Sequence, residues 1–137
     1  MHKQRQKRYK RLAVLFVAVI AFTVFLHGQK EEVEGKAWLD PNTTPPALNV
    51  TGIWDSPEWG KVSLNQREGG RRIIGTGDGW DISGVVSGKD VYLLFCHEGK
   101  VGFSAKLTAD APSQLRGIYA KGILSSHSKT RPTRLSK

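Results

Sequence analysis

The residues best suited to catalysis are three consecutive side chains, Cys96, His97 and Glu98. A thiol, an imidazole and a carboxylate are groups that nucleophilic enzymes combine. The apolar run before them predicts a strand, in which successive side chains point to opposite faces, and Gly99 predicts a turn directly after them. The three groups cannot easily converge on one substrate atom, so we expect no catalytic residues and no enzyme activity.

Metal and cofactor chemistry have equally little support in the sequence. Asp78 and Asp81 flank a Gly-Trp pair and could suggest calcium, but turn chemistry explains them better. The glycine-rich segment 75–79 joins two predicted strands, whereas a phosphate cradle needs a helix N-terminus after it. We therefore expect no metal and no cofactor. The histidines, which show no metal-ligand spacing, are His2, His27, His97 and His127.

The single cysteine, Cys96, cannot form a disulfide within the chain. It ends the apolar run 91–96, which predicts a buried thiol that packs as a small hydrophobic side chain. The alternative is a reactive or intermolecularly bridged thiol in an oxidising compartment.

Three tryptophans within thirty residues are the best indication of a binding surface. Trp59 ends the segment 55–59, which we interpret as a loop at one rim of the domain. Trp59 and Trp80 could stack on a sugar or a small apolar ligand, or contact an envelope protein. The alternative is that they cover a small core.

The N-terminal segment predicts attachment to a membrane. Six Lys or Arg residues lie within Met1–Arg11, and the fifteen residues Leu12–Leu26 carry no charge. The positive-inside rule places the head 1–11 in the cytoplasm and the domain outside it, in the periplasm or at the cell surface. A helix over 12–28 would be about 26 Å long, slightly less than the hydrocarbon core. We favour a single-pass signal anchor; the alternative is a cleaved signal peptide and a secreted domain.

The net charge of +9 is distributed unevenly along the chain. The head carries +6, and the segment after residue 120 carries five basic residues and no acidic ones, so the part between is close to neutral. The predicted domain has no basic face of the kind that nucleic-acid-binding proteins present, and we expect no nucleic-acid partner.

The remaining chain divides into a stalk, a domain and a tail. Three prolines predict that residues 29–48 form an extended stalk. Residues 49–122 form the domain, and 123–137 read as a disordered basic tail. The tail is solvated in the simplest interpretation; attraction to an anionic cell-surface polymer or lipid is the alternative, and salt should weaken it.

The domain has the pattern of an all-β protein. Short alternating runs recur every 8–12 residues, and Asp78-Gly79 predicts a tight hairpin. The run Val101–Leu107 alternates most regularly. We predict about seven strands in a small antiparallel up-and-down barrel or curled meander, because closure removes exposed sheet edges. A flat two-sheet sandwich is the alternative.

Two short motifs support the barrel. The segment Thr51-Gly-Ile-Trp54 opens the first predicted strand, and Arg116 lies in the last. A Gly-x-Trp paired with a late Arg resembles the signature of calycin barrels, the lipocalin and avidin-like group, and is also similar to small exported bacterial Gly-x-Trp domains. The resemblance implies that Arg116 stacks on Trp54 and that both are structural. The domain is short, so a filled interior is favoured over a ligand cavity.

Together these features predict a membrane-anchored, extracytoplasmic binding or interaction module without catalysis. The alternative is a structural or assembly protein of the cell envelope that docks a protein partner. The expected partners are the lipid bilayer through 12–28 and either a small apolar or sugar ligand or an envelope protein. The sequence is compatible with an oligomer.

Overall fold

The computed structural model of this chain describes residues 34–67 and 70–137. The predicted cytoplasmic head 1–11 and signal anchor 12–28 lie outside the described residues. Among the helical residues that are described, no helix has the length and apolar character needed to span a bilayer.

The described chain forms a closed antiparallel barrel of eight strands, each hydrogen-bonded to its neighbour in sequence. This confirms the all-β, up-and-down barrel architecture and excludes the flat sandwich. The strands are β1 Gly52–Ser56, β2 Gly60–Gln66, β3 Arg72–Gly77, β4 Trp80–Ser87, β5 Asp90–His97, β6 Lys100–Ala111, β7 Gln114–Lys121 and β8 Arg131–Ser136.

The strand count corrects the prediction of seven strands. The eighth strand, β8, lies within the segment 123–137 that the sequence led us to regard as a disordered tail. It pairs with β7 from Tyr119↔Arg131 to Gln114↔Ser136. Only Thr133 and Leu135 are buried on this strand, so its alternation is too short and too polar to be recognised in the sequence.

Tight turns connect the strands as the sequence predicts. Asp78 and Gly79 both have positive φ, 46° and 82°, which is the geometry of a two-residue hairpin turn. Glu98 and Gly99 repeat it, with φ of 51° and 77°.

Three glycines within the strands allow the small barrel to close. A Cβ at Gly75, Gly84 or Gly117 would lie only 2.2, 2.3 or 1.9 Å from a carbonyl oxygen of the adjacent strand. Real side chains never approach a backbone oxygen so closely. These positions therefore let neighbouring strands bend sharply around a narrow interior.

The seam between β1 and β8 is the weakest part of the barrel wall. The two strands share one residue pair, Asp55↔Ser136. Side chains complete the closure, because the Thr133 hydroxyl donates to Glu58 Oε2 in the β1–β2 turn at 2.5 Å.

The barrel has two ends, which we name by their aromatic residues. The aromatic end comprises the turns at 56–60, 77–80 and 97–100 and the connection 121–131, and it surrounds Trp59. The Trp54 end comprises the opposite turns, the start of β1 and the end of β8.

Part of the predicted stalk packs on the barrel wall and is not extended. Residues 34–39 form a helical turn. Leu39 is buried against Val85 and Leu94, which face outward from β4 and β5. Further along, Ala47 N donates to the Gly88 carbonyl at 2.8 Å. The proline-rich sequence is therefore compatible with a chain that is fixed to the barrel by its backbone and by the apolar side chains of Trp38, Leu39 and Leu48.

Candidate interaction surfaces

The centre of the barrel is filled by side chains. The core includes Trp54, Val62, Leu64, Leu93 and Phe95, each at most 2% exposed. Apolar side chains from every strand contribute to the same cluster. The interior is a packed core of the kind expected for a narrow eight-stranded barrel, and at the Trp54 end a pocket of about 410 Å³ reaches Val50, Trp54 and Leu115.

Trp59 closes the aromatic end from inside. Its ring stacks on Phe95 with a centroid distance of 3.9 Å and an interplanar angle of 12°. The edges of Phe103 and Tyr119 contact it at 6.2 and 5.2 Å. Its backbone N–H donates to Ser56 Oγ at 3.2 Å, which folds the β1–β2 turn inward. Trp59 is 2% exposed, so it belongs to the core, the alternative that the sequence left open.

Trp80 remains half-buried at the same end. Its ring lies edge-on to Phe103 at 5.4 Å and to His97 at 6.0 Å. A Cβ at Gly102 would lie 2.5 Å from this ring, so the glycine on β6 makes room for it. Of the two tryptophans proposed from the sequence as contact residues, Trp80 is the one that reaches the surface.

A groove of about 400 Å³ runs over the outer wall beside Trp80. Ile53 and Ile74, on β1 and β3, are 64% and 56% exposed on this side of the barrel. Ile53 pairs with Ser63 and Ile74 with Asn65, so β2 lies between the two isoleucines. The groove is lined by Ile53, Lys61, Ser63, Thr76, Gly77, Asp78, Gly79, Trp80 and Asp81.

A second groove, of about 450 Å³, lies at the aromatic end between β6, β7 and the connection to β8. Its apolar floor is formed by Phe103 and Tyr119, and its rim carries Lys121, Lys129 and Arg131. None of its described lining residues is acidic. We call it the basic groove.

At the Trp54 end, the side chains differ from those that the resemblance implies. Lys137 Nζ lies 4.7 Å from the centroid of the Trp54 ring. Arg116 does not stack on Trp54: it faces outward from β7 and pairs with Asp110 at 3.0 Å. Arg116 follows the inward-facing Leu115, so its position in the strand directs it to solvent. Trp54 is buried in the core, and its Nε1 donates to the Val50 carbonyl at 2.9 Å.

Of the three consecutive residues with catalytic potential, Cys96 lies apart from His97 and Glu98. Cys96 packs with Leu39 in the cluster outside the barrel, while His97 contacts Trp80 at the aromatic end. Glu98 lies in the turn, with its carboxylate 3.9 Å from His97 Nε2. Within 34–67 and 70–137, no group of His, Cys, Asp and Glu is arranged to hold a metal ion.

Sequence reasoning missed the basic groove, because Lys129 and Arg131 on its rim fall in the segment 123–137, which was predicted to be a disordered tail, whereas Lys121 was placed in the last predicted strand. Lys121 ends β7 and Arg131 begins β8. Their proximity can be predicted only if β8 is recognised as a strand.

Comparison with known proteins gives no relative for this chain. No protein-family model matches it, and neither a curated protein nor a solved structure is significantly similar to it.

Proposed function

We propose that this protein is a non-catalytic docking module, anchored to a membrane through 12–28 with its barrel on the extracytoplasmic side. The observation that carries the proposal is the filled interior. Trp54, Phe95 and Trp59 occupy the volume in which a lipocalin-like barrel would hold a ligand. Recognition is therefore assigned to the outer surface.

The grooves favour a macromolecular partner over an enclosed small ligand. Sites for small molecules bury most of the ligand surface. Both grooves are open to solvent: one lies on the outer wall beside Trp80, and the basic groove lies over Phe103 and Tyr119 at the aromatic end. An envelope protein that lays an apolar side chain beside Trp80 fits this shape better than a free sugar or lipid.

The outer wall of β1–β4 is the proposed contact surface for that partner. Ile53 and Ile74 supply exposed apolar area, the half-buried Trp80 lies at the edge toward the aromatic end, and Lys61 and Asp81 supply charges. Apolar centres with polar margins characterise protein interfaces. A relationship to calycin barrels remains a proposal about architecture, supported by closure of the eight strands and by Trp54.

A topology experiment tests the anchoring. Alkaline phosphatase fused after residue 137 should be active, because the enzyme requires an extracytoplasmic location. Membranes should retain the full chain after alkaline carbonate extraction. An inactive fusion would contradict the orientation, and a fully soluble chain would contradict the anchor.

Site-specific photocrosslinking tests the docking surface. A photoreactive amino acid at Ser63, inside the groove, should capture the same protein in cells repeatedly. The matched control carries the photoreactive amino acid in place of Lys106, which lies on the opposite outer wall. Substituting both Ile53 and Ile74 by Ser should abolish the crosslink between the photoreactive amino acid at position 63 and the partner protein. Native mass spectrometry of the full chain with a stoichiometric small-molecule adduct would instead favour ligand binding.

A further inference from the structure

We infer that the aromatic end of the barrel faces the membrane and that the basic groove binds anionic phospholipid headgroups. The inference rests on the proposed anchoring and adds to it the orientation of the barrel and the class of lipid. Two independent observations carry it: the path of the chain on the barrel wall and the charge of the groove.

The path of the chain places the first described residues beside the aromatic end. Gly35 is buried, and a Cβ there would lie 2.9 Å from Leu94 Cδ1 and 3.8 Å from Val101 Cγ2. Val101 is the second residue of β6, next to the turn 97–100. By Ala47 the chain has reached Gly88 at the Trp54 end. It therefore enters the domain at the aromatic end and descends along the wall.

The length of the preceding segment restricts the orientation further. The predicted anchor ends at residue 28, six residues before residue 34. A fully extended chain of this length spans at most about 22 Å, which is the maximum distance between the anchor and residue 34. The eight residues of β7 span about 26 Å, so the segment before residue 34 is shorter than the distance between the two ends of the barrel. The attachment thus holds the aromatic end closer to the bilayer than the Trp54 end.

The basic groove has the side chains that an anionic lipid surface attracts. Lys121 pairs with Phe103 and Arg131 with Tyr119 across the sheet, so both basic residues rise from the same face as the aromatic floor. Tyrosine is enriched at membrane interfaces, and basic side chains beside apolar area are attracted to anionic lipids. Each Lys or Arg near an anionic surface increases partitioning about fivefold.

The other charges at this end do not neutralise the groove. Among the described residues, Lys121, Lys129 and Arg131 have no ion-pair partner. Glu58 contacts β8 through the hydrogen bond from Thr133, two residues from Arg131 on the same face, and it is the acidic side chain that the described contacts bring to this side. Asp78 and Glu98 occupy hairpins between other strands. The positive potential is therefore concentrated on the side formed by β6, β7 and β8.

Lysine footprinting of the full chain tests the inference. The chain is reconstituted into nanodiscs of phosphatidylcholine, with or without phosphatidylglycerol, and acetylation rates are measured by mass spectrometry. In the anionic discs, Lys121 and Lys129 should react about fivefold more slowly. The difference should disappear in about 1 M NaCl, where the Debye length is about 3 Å. Lys89, in the β4–β5 turn at the Trp54 end, should not change.

Two variants with equal charge loss separate the groove from net charge. The first variant carries Lys121→Gln, Lys129→Gln and Arg131→Gln. In this variant Lys100, a reporter in the neighbouring turn, should be acetylated at the same rate in discs with and without phosphatidylglycerol. The control Arg67→Gln/Lys89→Gln/Arg134→Gln removes three exposed positive charges elsewhere and should retain the slower acetylation of Lys100 in the anionic discs. Equal behaviour of the two variants would overturn the inference.

Carbonate extraction of the same discs separates failure of the inference from failure of the anchor. A retained chain whose Lys121 and Lys129 react equally in both lipids overturns the inference and leaves the anchoring intact. Release of the chain from the lipid by carbonate would overturn the proposed anchoring, and with it the proposed orientation of the barrel. Protection by soluble dextran sulfate, with no effect of phosphatidylglycerol, would assign the groove to an anionic polymer and overturn the lipid proposal.

Discussion

Lys137 lies over the indole ring of Trp54 and links the end of the barrel wall to its beginning. The ammonium is 4.7 Å from the ring centroid and donates a 2.9 Å hydrogen bond to the Thr51 carbonyl. The backbone N–H of Lys137 donates to the Ser113 carbonyl at 3.0 Å. A cation over a tryptophan in the first strand is the arrangement that the resemblance implied for Arg116. Here a residue directly after β8 provides it.

Replacing Lys137 by Met should therefore destabilise the barrel. Methionine keeps most of the aliphatic length but removes the charge and the hydrogen bond to Thr51. We expect a loss of about 0.5–1 kcal/mol in the free energy of unfolding, measured by urea denaturation. Lys89→Met, in an exposed turn, is the control. Equal midpoints for the two variants would show that the contact with Trp54 does not contribute.

The strand β8 should be essential to folding despite its polar sequence. Leu135 is fully buried, and its replacement by Ala should lower the free energy of unfolding by about 2–5 kcal/mol. Arg134 precedes it on the outer face, and Arg134→Ala should change the stability by less than about 0.5 kcal/mol. Similar effects of the two substitutions would mean that β8 is not part of the cooperative unit.

The sequence predicts β1 to β7 well for a simple physical reason. Most of these strands place large apolar residues on the inward face, such as Phe103 and Leu107 of β6, and glycine occurs in or beside every connecting turn except that between β6 and β7. In β8, the inward residues are Arg131, Thr133 and Leu135, and the strand contains Pro132. Its burial depends on pairing with β7, a contact that no local pattern encodes.

The candidate surfaces were harder to predict because they depend on tertiary position. Trp59 lies in a turn of the predicted kind, but the Ser56 hydroxyl and the stacking on Phe95 direct it inward. The basic residues 121, 129 and 131 are apart in the sequence and meet only when the barrel closes. Net charge identifies them as basic but gives no indication of an aromatic floor beneath them.

Trp59 and Trp80 should differ strongly in their contribution to stability. Trp59→Ala removes a ring that is buried among Phe95, Phe103 and Tyr119, and we expect a loss of about 3–5 kcal/mol. Trp80→Ala should cost about 1–2 kcal/mol, since part of its ring is already exposed. Urea titrations followed by far-UV circular dichroism measure both. A negligible effect of Trp59→Ala would mean that this ring serves a contact surface and not the core.

Gly117 should tolerate no side chain, because the curvature of the wall depends on it. A Cβ at this position would lie 1.9 Å from the Lys106 carbonyl oxygen and 2.9 Å from the Leu107 Cα, both of them backbone atoms that cannot rotate away. Gly117→Ala should therefore force β6 and β7 apart and lower the free energy of unfolding by about 1–3 kcal/mol or more.

The matched control for Gly117 is Gly99, where the turn leaves open space for a Cβ but φ is +77°. Gly99→Ala should cost about 1 kcal/mol or slightly more, from backbone strain alone. Thermal unfolding of the two variants separates steric collision from strain. If Gly117→Ala is the milder of the two, the close approach of β6 and β7 is not what closes the barrel.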